Sequence, residues 1–197
     1  MNENDVAAAP GDDPLPRAIE SPIRTISSAV AYETPWLRIR QDQIERQDGS
    51  AGTFGYVEFP YPVVMVAALD DAGRVCLVRQ WRYPWGRDSW ELPAGRCEAG
   101  ETPRSGAQRE LREEAGVTAR DLQPLYTFYA SASVSTQFHC FLATGLTHVD
   151  TQRDPEEQDM VATWVPLGEA VRAVLDGRIV HSATIGALLR LERELGR

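Results

Sequence analysis

Strands and helices alternate along this sequence in a way that predicts an α/β domain with a small β appendage at its N-terminal end. Three features carry the expectation. Apolar runs at residues 63–69 and 75–78 flank Asp70-Asp71-Ala72-Gly73 and are too short for helices, so they read as a hairpin of well-buried strands. Residues 103–115 have helical periodicity between a start signal, Thr102-Pro103, and a stop signal, Gly116. Residues 167–175 and 182–195 are amphipathic at the helical period, the second with Ile185, Leu188, Leu189 and Leu195 to bury.

In chain order, residues 1–24 are rich in Ala, Pro, Asp and Glu without periodicity and are expected to form a mobile tail. Residues 25–60 contain β-prone stretches around Val30, Trp36 and Ile39 and a turn signal, Gln47-Asp48-Gly49-Ser50, before the segment 54–59. They should form the antiparallel appendage. The main domain then spans residues 61–197. Within it, a loop containing Tyr83-Pro84-Trp85-Gly86 leads to Trp90-Glu91-Leu92-Pro93-Ala94-Gly95, and further strands are expected at 125–130, 137–142 and 160–165.

The composition narrows the function classes. A chain of 197 residues with 43% hydrophobic content can bury one sizeable core. The net charge of -9 excludes a broad basic face for nucleic acid, because phosphate neutralisation needs clustered Lys and Arg. An anionic ligand would have to be drawn by metal ions and a few placed arginines. The longest apolar run, residues 63–69, falls far short of the roughly 20 residues of a membrane helix. The first residues also lack the basic start and apolar stretch of a secretory signal, so a cytoplasmic protein is expected. Cys76, Cys97 and Cys140 are too few and too far apart for a disulfide framework or a zinc pair, and read as reduced thiols.

The chemistry lies on the helix at 103–115. Side chains rotate by about 100° per residue, which puts Glu110, Glu113 and Glu114 on one face, beside an apolar stripe of Ala107, Leu111 and Ala115. Packing of the stripe on a sheet would aim the acidic edge at a cleft. A solvated acidic face is the simpler reading of two glutamates. Three, however, repel at these spacings and oppose the helix dipole near its C-terminal end. Hard divalent cations need such converging oxygens, Mg²⁺ commonly taking one or two carboxylates together with waters and phosphate oxygens.

Gly95, then Glu101, then Arg109-Glu110-Leu111-Arg112-Glu113-Glu114-Ala115-Gly116-Val117 match every fixed position of the Nudix box. The chain thus resembles the Nudix hydrolases. Gln80-Trp81-Arg82, Glu91-Leu92-Pro93-Ala94-Gly95, the acidic run at 154–159 and Trp164-Val165-Pro166-Leu167 are similar to the ADP-ribose pyrophosphatase and nucleoside-diphosphate-sugar hydrolase branch. The resemblance implies an α/β/α sandwich with a mixed sheet between helices, and an N-terminal arm exchanged within a homodimer. It also implies Mg²⁺, with Mn²⁺ as a substitute, held by Glu110, Glu114 and the Ala94 carbonyl and variably by Glu113. Glu101 would pair with Arg109 and hold the loop onto the helix. Arg82, Glu91 and Trp36 are the expected substrate contacts, Arg82 because a guanidinium fork suits phosphate oxygens. Members of the superfamily place the general base either in an acidic loop or on the helix. Glu157 is the first choice here and Glu113 the second.

The implied reaction is Mg²⁺-dependent hydrolysis of a diphosphate, giving a nucleoside monophosphate and a phosphorylated remainder. ADP-ribose pyrophosphatases commonly carry a proline about sixteen residues beyond the box, where this chain has Ser131-Ala132-Ser133-Val134-Ser135. Sugar nucleotides including ADP-ribose rank first, with simple nucleoside diphosphates as the alternative. A reading from another class is a non-catalytic Nudix-like regulator that senses a ligand. The complete box and the lack of a basic helix-turn-helix segment weigh against it.

Overall fold

A computed structural model describes residues 20–150 and 160–196. Most of the expected tail, and the acidic run with Glu157, lie outside the described residues. Strands β1 (Ile23–Glu33), β2 (Arg38–Arg46) and β3 (Ala51–Glu58) form an antiparallel sheet in that order. It begins two residues before the expected boundary, at Ile23. Gly49, at φ 80°, closes the turn between β2 and β3 in a left-handed conformation that a side chain would strain. Every residue of β1 is exposed, and one side of this edge strand has no partner among the described residues.

The remaining strands are β4 (Val63–Ala68), β5 (Arg74–Arg82), β6 (Arg87–Glu91), β7 (Ala94–Arg96), β8 (Val117–Tyr129), β9 (Gln137–His148) and β10 (Val161–Pro166). The helices are α1 (Pro103–Ala115), α2 (Leu167–Leu175) and α3 (Ser182–Glu194). One sheet runs β7-β4-β9-β8 and is mixed, because β4 and β9 are parallel while the other pairs are antiparallel. The other runs β10-β5-β6. Successive side chains of a strand point to opposite faces, and β4 shows what this does here. Val64, Val66 and Ala68 pack with Ala107, Leu111 and Ala115 of α1, whereas Met65 and Ala67 pack with Ala170 and Val171 of α2 and Leu188 and Leu191 of α3. Helices therefore cover both faces, the α/β/α arrangement the resemblance implied.

Two expectations need correction. The runs at 63–69 and 75–78 do not form a hairpin within one sheet: past the turn at Asp70–Gly73 only Leu69 and Val75 bridge, and β4 and β5 enter different sheets. Both strands are buried on both faces, so their apolar patterns could not reveal the divergence. Leu189 of α3 and Leu195 just past its end are exposed, and Ala183, Ala187, Leu188 and Leu191 make the buried stripe.

Helix α1 runs between the signals that announced it. The Thr102 hydroxyl accepts from the Ser105 amide (3.2 Å), the Ser105 hydroxyl accepts from the Thr102 amide (2.9 Å), and Gly116 ends the helix at φ 63°. Both ends being fixed, the direction of every carboxylate on this helix is fixed with them.

Candidate active site

The acidic edge of α1 lies against β7. Glu110 and Glu114, on successive turns, are buried at 5% and 1% exposure. One Glu114 oxygen accepts from the Ala94 amide at 2.9 Å. Glu110 sits so close beneath Gly95 that a Cβ there would lie 2.0 Å from its Oε1. Glycine is thus required for the approach of the Glu110 carboxylate to the strand.

Arg109 ties this edge together. Its guanidinium donates to both oxygens of Glu101 (3.1 Å each), to Glu110 and Glu113 (2.8 Å each) and to the Arg96 carbonyl (2.8 Å). Burial alone would ease proton loss from Arg109, but its carboxylate partners outweigh that and raise its pKa. Glu101 is held below the usual carboxylate range by its hydrogen bonds from Arg109, which with the Glu98 amide outweigh the opposing effect of burial. Glu101 and Arg109 are thus in direct contact between the loop and the helix.

A second network builds the opposite wall. Arg82 donates to both oxygens of Glu91, at 2.8 and 2.7 Å. The Glu91 side chain is fully buried, so the expectation that it touches substrate needs correcting: it anchors Arg82. His181 Nδ1 lies 3.4 Å from Glu91 and 2.9 Å from the Thr184 hydroxyl, which in turn accepts from the Leu92 amide at 3.0 Å. Burial lowers the His181 pKa despite the pull of Glu91.

Between these walls lies a cleft of about 440 Å³ lined by Trp36, Arg82, Ala94, Gly95, Arg96, Glu114 and His181, among others. It brings together four of the expected residues, Trp36, Arg82, Ala94 and Glu114. Glu91, Glu101, Arg109, Glu110 and Glu113 are not part of its lining. Sequence reasoning missed Arg96 and His181. The only signal for Arg96 was its place directly after Gly95, and for His181 its place directly before α3. A further cleft, of about 390 Å³ between β5, β10 and α2, contains none of the expected residues.

The donor set fits a hard divalent cation. Two carboxylates buried a helical turn apart against a glycine-backed strand would repel each other and cost desolvation as structural groups, whereas a cation relieves both. Among the described residues no three acidic, His or Cys side chains form a ready cage. Arg109 draws Glu110 and Glu113 to one of its nitrogens, and Mg²⁺ completes its shell with waters and phosphate oxygens.

Comparison with known proteins agrees with this geometry. Residues 60–184 match the NUDIX domain, and residues 23–57 match the N-terminal domain of nucleoside diphosphate sugar hydrolases. An ADP-ribose pyrophosphatase of Mycobacterium tuberculosis is 39% identical over 86% of this chain and 83% of its own length. One from Bacillus subtilis is 30% identical over 86% and 92%. The crystal structure of an ADP compounds hydrolase superposes with a TM-score of 0.79 over 89% of this chain and 95% of that one, at 18% identity, which bears on the fold alone. The chain belongs to the NUDIX family, as a pyrophosphohydrolase of nucleoside-diphosphate derivatives.

Proposed function

We propose that the protein hydrolyses the diphosphate of a nucleoside diphosphate sugar, ADP-ribose first among them, with Mg²⁺ as its ion and Mn²⁺ as a substitute. The observation that carries this reading is the closure of Glu110 and Glu114 on Ala94–Gly95 beside a cleft whose other wall presents Arg82. The cleft, at about 440 Å³, is within the usual size of a small-ligand site. The similarity to two ADP-ribose pyrophosphatases supports the choice of sugar nucleotide.

In this reading Glu110, Glu114 and the Ala94 carbonyl hold the cation, with Glu113 as a variable ligand. The chemistry the ion supplies when bound is neutralisation of the diphosphate and acidification of water. Arg82, oriented by Glu91, binds a phosphate oxygen, and Trp36, in the cleft lining, offers its ring to the base. Glu157 takes the proton from the attacking water. The alternative base, Glu113, already shares Arg109 with Glu110 and Glu101. Single-turnover rates at saturating Mg²⁺ separate the two: Glu157→Gln should lower the rate by about 10²- to 10⁴-fold, and near-normal chemistry in that variant would return the role to Glu113.

A panel of diphosphate substrates with product identification tests the substrate. AMP and ribose 5-phosphate from ADP-ribose are expected; preferential turnover of ADP itself would favour the simple nucleoside diphosphates. The reading places the enzyme in the cytoplasm, for which the support is that Cys76, Cys97 and Cys140 are all buried thiols. Fractionation of cells expressing the tagged chain, with the protein outside the soluble fraction, would contradict this.

A further inference from the structure

We propose that Arg96 is a second phosphate-binding guanidinium, which with Arg82 brackets the diphosphate across the cleft. The inference deepens the reading above and rests on it. Ala94 and Arg96 are two apart on β7, so their side chains share the face that lines the cleft, while the Cβ position of Gly95 points at Glu110.

Charge pairing separates Arg96 from its neighbours. Arg82 is matched by Glu91 at 2.7 Å, and Arg109 by Glu101, Glu110 and Glu113. Among the described residues, no carboxylate lies within 4.0 Å of the Arg96 guanidinium. Its hydrogen bond there is donated by Nη1 to the Trp36 carbonyl, at 2.9 Å. A guanidinium has five N–H donors, so one bond to a carbonyl leaves the fork able to meet phosphate oxygens. In a chain of net charge -9, a cation in the cleft without a carboxylate in ion-pair contact among the described residues is a place where a phosphate gains from charge-assisted hydrogen bonds.

The backbone of the same residue adds a second role. The Arg96 carbonyl accepts from Arg109 at 2.8 Å, and Trp36 belongs to a turn closed by Thr34, whose hydroxyl accepts from the Trp36 and Leu37 amides. Arg96 therefore joins the turn of the appendage to the strand that faces the acidic edge. Phosphate binding at its side chain would seat Trp36 and the diphosphate in one step.

Calorimetry of imidodiphosphate, a non-hydrolysable diphosphate, with Mg²⁺ and the full-length chain tests this without turnover. Arg96→Met should weaken binding about 10- to 100-fold, the range of a charge-assisted hydrogen bond. Arg96→Lys should recover part of the loss, and Arg120→Met, which removes an exposed cation outside the cleft, should leave binding unchanged. The KM for ADP-ribose should rise in Arg96→Met by more than kcat falls. Wild-type affinity in Arg96→Met overturns the proposal. So does an equal loss in Arg96→Met and Arg96→Lys that follows a matching fall in Tm, because the guanidinium would then be only a strut for the Trp36 turn. Weakened imidodiphosphate binding in a protein that does not hydrolyse ADP-ribose would refute the substrate reading alone; normal binding in a variant of an active hydrolase would refute the role of Arg96 alone.

Discussion

Gly95 shows how a single hydrogen atom in place of a methyl decides the site. A Cβ at this position would meet the far end of the Glu110 side chain, which can swing away, and not backbone. Gly95→Ala should therefore leave the far-UV circular dichroism intact while displacing Glu110 and lowering kcat by at least about 10-fold, the scale of a disturbed metal ligand shell. Wild-type kcat in that variant would mean that Glu110 can serve from another position. Glu91 gives a pH prediction. Burial pushes its carboxyl up, but the hydrogen bonds from Arg82 and the charges of His181 and Arg82 outweigh burial and hold it below the usual 4.5. A carboxyl depressed in the folded state adds stability that is complete above about pH 4.5 and is lost as pH falls through the folded value. In urea melts across that range, Glu91→Gln should lose less stability on acidification than wild type. An unchanged acid slope would show that the Arg82 network contributes nothing there.

At the scale of the element, α1 was the most legible part of the sequence. Thr102, Pro103 and Gly116 each act through the backbone of their immediate neighbours, so local chemistry alone set both ends. The pairing of β4 and β5 was not legible, because doubly buried strands carry the same apolar run whichever sheet they join. The short strands β6 and β7 were hidden by the Leu92-Pro93 break between them. Of the site, the common face of the α1 carboxylates could be read from helical periodicity, and the Glu101–Arg109 pair was implied by the resemblance to the Nudix box. The partnership of Arg82 with Glu91, and the arrival of His181 and Arg96 at the cleft, depend on which strands meet. Leu111, fully buried between α1 and β4, ties the acidic helix to the sheet. Leu111→Ala should cost about 2–5 kcal/mol in denaturant melts. A cost below about 1 kcal/mol would show that the helix is held by something other than this stripe.

For the whole molecule, the appendage poses a burial problem. Ile26, Val30, Tyr32 and Phe54 are 52%, 45%, 57% and 45% exposed on a sheet whose edge strand has no partner on its outer side among the described residues. A three-stranded sheet with such a surface is an interaction site by default. We propose that it is the arm of a homodimer. Sedimentation at micromolar concentration should give twice the chain mass, and a strictly monomeric mass would count against the proposal. The same scale explains how a chain of net charge -9 can act on an anion: the attraction is confined to one cleft, where arginines, and a divalent cation when bound, would reverse the local field.

The carboxylates of α1 are proposed to act through a divalent cation. The direct measurement is the rate of ADP-ribose hydrolysis across a Mg²⁺ titration, for wild type and for Glu114→Gln, in which the Ala94 amide keeps an acceptor. Wild type should be silent in excess chelator and rise to saturation with Mg²⁺, while Glu114→Gln, folded as judged by its Tm, should lose most activity at every concentration. Full turnover by wild type in excess chelator, or undiminished turnover by Glu114→Gln, would contradict the account.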